Sequence, residues 1–191
     1  FPGEGFSLTD LFLEERRRVL ALIIRGVLDR HEETYRRIWA DNRKLMRYLR
    51  VADAPIPDAL ALVARYVLEQ DVAQAMAALD TDGPPEGLPE RVTELLGEAK
   101  ALGLDLDLLP AKPATTRVVT RALEAVAEEP TAARVARATA LVTETLRYDL
   151  RFGRWAAQNR FFAIWRARPE AHEVLAPLAT ALGFNVTQGR P

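Results

Sequence analysis

Apolar residues recur along most of this chain at the three-and-four spacing of a helix. Near the start, Leu8, Leu11, Phe12, Val19, Leu22, Ile23 and Val27 share one helical face. The stripe continues through Tyr35, Ile38, Leu45, Met46 and Leu49. Ser7 stands where an N-cap is wanted, with Asp10 three residues on. Glu32 with Arg36, and Glu33 with Arg37, are i,i+4 pairs in the favourable orientation. A straight helix over residues 8–50 would be ~65 Å long, against a radius of gyration of ~16 Å for a compact chain of this size. The spacing therefore predicts a break or kink near Asp29–His31, or a helix that projects onto another domain.

Pro55 and Pro57 end this first stretch. A second helix opens at Pro57 or Asp58 and runs to about Leu79. Asp80-Thr-Asp-Gly-Pro-Pro-Glu-Gly87 reads as a surface loop by its turn residues. Pro89 suits the first turn of a third helix that ends near Gly103. Leu104-Asp-Leu-Asp-Leu-Leu109 alternates with period two, but no second strand is present to pair with it, so it reads as an extended connector. A fourth helix covers about 115–128 and stops at Pro130. Thr131 caps a long fifth helix that reaches about Trp165. Pro169 to Leu182 is the last, with Gly183 placed to close it. The predicted fold is all-α: one domain over 1–191, an array of about six helices with long first and fifth members and no significant sheet. Residues 1–6 and 184–191 are expected to fray. Strands and helices do not alternate, and no repeat of fixed period is visible.

Composition narrows the chemistry. The chain has 191 residues, enough to bury roughly 70% of the surface its unfolded form exposes. Lys and Arg number 26 against 27 Asp and Glu, a balance that gives no field for nucleic acid or anionic lipid. With no cysteine, zinc-finger, iron–sulfur and thiol chemistry are excluded, and a reducing, cytoplasmic setting is expected. No apolar run approaches the ~20 residues of a membrane-spanning helix, and no signal peptide is seen. The first residue is Phe1, not Met, so the chain reads as the C-terminal fragment of a longer polypeptide.

Few residues suggest catalysis. The two histidines, His31 and His172, are far apart in sequence, and no H-E-x-x-H occurs. His31 reads as a boundary residue and His172 as a surface one. No nucleophile elbow, P-loop or dinucleotide fingerprint is present. Glu14/Glu15, Glu32/Glu33 and Glu128/Glu129 are neighbours on helices and point in different directions, so they read as solvated faces. No catalytic residue, metal ligand or cofactor is expected.

Two aromatic–amide clusters remain. The first is Trp39, Asn42, Arg43 and Met46; the second is Trp155, Gln158, Asn159 and Phe162. Both have i, i+3, i+4 and i+7 spacing, which puts a ring beside polar groups on one helix face. The second lies in an apolar stretch, Gly153 to Trp165, that has no evident need of amides. Either the amides tie helices together in the core, or they face a ligand or partner. Aromatic rings stack on sugar faces and amides bond hydroxyls, so a carbohydrate groove is one such partner. Trp and Arg are also frequent at protein–protein hot spots.

Four stretches then carry a resemblance. They are Ser7-Leu-Thr-Asp-Leu-Phe-Leu-Glu-Glu-Arg-Arg-Arg-Val-Leu20, Glu33-Thr-Tyr-Arg-Arg-Ile-Trp-Ala-Asp-Asn42, Ile56-Pro-Asp-Ala-Leu60 leading to Tyr66-Val-Leu68, and Trp155-Ala-Ala-Gln-Asn-Arg-Phe161. In this order they resemble the C-terminal helical domain that follows a glycoside hydrolase family 57-like barrel, in proteins of the α-amylase or α-mannosidase type. The resemblance spans about residues 6–183. It implies a non-catalytic domain that supports the catalytic barrel of the same polypeptide and helps wall a cleft for an α-glucan or oligosaccharide. It implies that the catalytic carboxylates sit on the barrel, so none is carried onto this chain. Trp39, Asn42, Arg43, Trp155, Gln158 and Asn159 are the expected substrate-contacting or interdomain residues. The alternatives are a helical protein–protein interaction module, or a helical domain with an apolar pocket for a small ligand.

Overall fold

The computed structural model describes residues 31–79 and 87–185. Every regular element among these residues is helical. Helix α1 covers 31–51. It is followed by α2 (Asp58–Ala78), α3 (Glu90–Leu102), α4 (Lys112–Glu128), α5 (Ala132–Arg147), α6 (Arg154–Ala167) and α7 (His172–Leu182). Single 3₁₀ turns, Leu109–Ala111 and Pro169–Ala171, lead into α4 and α7. The all-α reading holds, with seven α-helices among the described residues in place of about six. Leu104–Leu108 forms no strand, as its lack of a pairing partner implied. The stripe before residue 31, the Ser7 cap, the proposed break at Asp29 and most of the 80–87 loop lie outside the described residues.

The long fifth helix is not continuous. Residues 131 to 165 form two helices, α5 and α6, separated by a non-helical stretch from Tyr148 to Gly153. The break has a local cause. Asp149 adopts the left-handed conformation, φ 53°. Leu150 N then donates to Thr145 O at 2.9 Å and Asp149 N to Leu146 O at 3.2 Å. This paired 6→1 and 5→2 closure satisfies carbonyls that the helix can no longer use. The same closure ends α1 at Asp53, α3 at Gly103 and α7 at Gly183, all with positive φ. Glycine adopts that conformation without steric cost, whereas aspartate only tolerates it.

The chain divides into two compact units, Phe1–Val67 and Leu68–Pro191, with the boundary inside α2. In the first, Tyr35 of α1 meets Tyr66 of α2 edge-on at 5.2 Å, and Met46 is fully buried. In the second, α5 packs on α4 and on α7, and α6 packs on the same two helices, so α4–α7 close a ring. Its centre is Val118 and Leu123 from α4, Leu141 from α5, Phe161 from α6, and Leu175, Leu178 and Leu182 from α7, each with no exposed surface. Burying each such side chain contributes about 1.5–3 kcal/mol before the cost of ordering it.

Polar side chains in this unit repeatedly serve the ends of neighbouring helices. Arg121 of α4 donates to Leu79 O just past α2, and Arg134 of α5 to Ala125 O in the last turn of α4 (2.8 Å). Glu144 of α5 accepts from Leu88 N ahead of α3, and Thr116 of α4 from Gly153 N ahead of α6. Helix ends leave backbone groups without intrahelical partners, and these contacts satisfy some of them while fixing how the helices cross.

Candidate functional site

Helix α6 is held on two sides. Towards α4, Gly153 N bonds Thr116 Oγ1 at 3.1 Å and Arg160 pairs with Glu124 at 2.8 Å. Towards α7, Gln158 Nε2 donates to Leu182 O at 2.8 Å, and Arg154 Nη2 reaches the same carbonyl at 3.5 Å. Leu182 is the last residue of α7, so Gln158 caps the C-terminal end of its neighbour. Phe161, Ile164 and Trp165 complete the buried side of α6.

The amide next to Gln158 does something else. Trp155, Asn159, Phe162 and Arg166 recur at spacings of four, three and four residues and are all exposed. Trp155 is 77% exposed, and Phe162 is 40% exposed with the Arg166 guanidinium 5.8 Å from its ring centre. The Trp155-Gln158-Asn159 cluster is therefore split: Gln158 turns to α7, while Trp155 and Asn159 face outward. An indole so exposed, beside a second ring and an amide, is a surface suited to covering by a partner.

Trp39, Asn42 and Arg43 belong to the first unit, on α1. Asn42 Nδ2 donates to Ile38 O at 2.8 Å, one turn back on its own helix. The Arg43 guanidinium lies 5.7 Å from the centre of the half-buried Trp39 ring. Asn42 and Arg43 thus turn toward groups of their own helix, and this cluster presents less apolar surface than α6 does.

Sequence reading missed His172. Its ring stacks on Trp165 with centroids 4.0 Å apart and planes 10° from parallel, and its Nε2–H donates to Trp165 O at 2.8 Å. It is a half-buried link between the end of α6 and the start of α7, not a free surface residue. Seven residues separate the two rings, with a 3₁₀ turn between, so no helical periodicity signals the pairing.

Among the described residues no group of three or more His, Asp or Glu side chains is placed to hold a metal ion, and no helix is long and apolar enough to cross a membrane. A groove of about 630 Å³ runs between α5 and α7. Ala136, Thr139 and Ala140 face Val174 and Pro177 across it, and Glu173 supplies its charge. None of the six sequence-predicted residues lines this groove. Comparison with protein families, with curated proteins and with solved structures gives no match to this chain.

Proposed function

We propose that this chain is the non-catalytic helical domain of a family 57-like glycoside hydrolase, and that the outer face of α6 seats against the catalytic barrel of the same polypeptide. The observation that carries this reading is Trp155, 77% exposed and aligned with Asn159 and Phe162. A large indole left in water forgoes burial worth about 1.5–3 kcal/mol, which a docked domain would restore. Gln158 acts within the domain, holding α6 to α7, so the presented face is Trp155, Asn159 and Phe162. At the edge of this contact, the exposed Asn159 would bond the hydroxyls of an α-glucan or oligosaccharide held by the barrel. The α5–α7 groove supports a second reading, a helical interaction module whose partner is unrelated to carbohydrate.

Hydrolysis separates these readings. The polypeptide of the whole reading frame is expected to hydrolyse α-linked glucans or mannosides, and this chain alone is expected to show no turnover. Turnover by this chain that is lost on replacing one of its own carboxylates would overturn the non-catalytic assignment. A whole reading frame that encodes no barrel would favour the interaction module.

A further inference from the structure

A second cavity, of about 420 Å³, lies where the C-terminal ends of α3 and α5 meet the connector after α3. Four charged side chains line it: Lys100, Asp105, Arg147 and Asp149. All four are exposed, and none makes an ion pair or side-chain hydrogen bond with another described residue, although charged neighbours elsewhere in the unit do, such as Arg91 with Asp71 and Arg160 with Glu124. Two cations and two carboxylates that line one cleft, with no ion pair among the described residues, suit a ligand that carries both signs.

An exposed glycine of the lining gives an independent indication. Gly97 lies inside α3, five residues from its C-terminal end, and lines the cavity. A Cβ added there would meet nothing within 4 Å. Packing therefore does not demand glycine, yet glycine within a helix is less favourable than alanine. What the missing side chain leaves is open space beside Leu96 and Leu106, which also line the cavity. Tyr148 lines it too, but the Arg147 guanidinium stands 5.7 Å from the centre of its ring. That cation competes for the aromatic face on which a sugar would stack.

We propose that this cleft binds a small zwitterion, a free α-amino acid with an aliphatic side chain. Lys100 and Arg147 would take its carboxylate, Asp105 and Asp149 its ammonium, and the space over Gly97 its side chain. The negative ends of the α3 and α5 dipoles favour the ammonium at the same place. This assignment does not depend on the barrel reading.

The test is a titration of the 191-residue chain followed by ¹H–¹⁵N chemical shifts. L-Leucine is expected to give saturable shifts confined to residues around Gly97, Leu104–Leu108 and Arg147–Asp149. Isoamylamine lacks the carboxylate and 4-methylpentanoate lacks the ammonium, and each should bind at least about tenfold more weakly, the equivalent of one charge-assisted contact. Gly97→Phe puts a ring at the cleft and should abolish the shifts, while Gly97→Ala keeps them and confirms that α3 tolerates a side chain there. No saturable shift with L-leucine up to about 10 mM, where even a millimolar site would be mostly filled, would overturn the proposal. So would equal binding of either single-charge analogue, or shifts at this cleft with maltose and not with L-leucine.

Discussion

Replacing Gln158 by alanine would leave the Leu182 carbonyl without its 2.8 Å donor and weaken the hold of α6 on the end of α7. The expected cost is about 1 kcal/mol, the typical net worth of one such hydrogen bond. Arg154, already 3.5 Å from that carbonyl, can offset part of it. Trp155→Ala should change stability by less than about 0.5 kcal/mol, because its exposed ring contributes little to packing. Urea unfolding of the two variants measures both effects. A large loss from Trp155→Ala and none from Gln158→Ala would reverse the roles assigned to the two side chains. Residues three apart on one helix would ordinarily be read as one patch, and the cluster was legible in the sequence only to that extent. Whether an amide at position 158 or 159 turns inward depends on where α7 ends, and α7 is more than a dozen residues further along the chain.

At the scale of elements, the closures of α5 and α7 offer a matched pair of tests. Gly183 has φ +90°, and a Cβ there would fall 2.6 Å from Arg154 Nη2. That guanidinium can swing aside, so the backbone conformation sets the penalty. Gly183→Ala is expected to cost about 1–2 kcal/mol. Asp149→Gly should have the opposite sign and raise stability by up to about 1 kcal/mol, since φ 53° strains any residue but glycine. Thermal unfolding of both variants checks the signs. The same contrast explains what the sequence revealed about the helices. Gly103, Gly183, Thr131 and Pro89 mark their boundaries by residue type, and those boundaries were legible. The end of α5 rests on an aspartate in a glycine's conformation, followed by Leu150 and Phe152, both buried and both compatible with a helical stripe. Periodicity therefore ran through the break, and one long helix was expected where there are two.

At the scale of the molecule, the ring of α4–α7 accounts for most of the buried apolar residues among those described, and contacts between helix ends account for several of the polar residues within it. The α6 face with Trp155, Asn159 and Phe162 is not explained by this internal packing. The occupant proposed for it was not legible from residue types, because an exposed indole does not say what would cover it. Hydroxyl-radical footprinting of Trp155 decides the point most directly. Oxidation of the indole is compared between this chain and the polypeptide of the whole reading frame, with buried Trp165 as the internal reference. If α6 seats against a barrel, Trp155 should be oxidised several-fold more slowly in the longer polypeptide while Trp165 stays unchanged. Equal oxidation of Trp155 in the two would contradict the assignment of this face to the barrel.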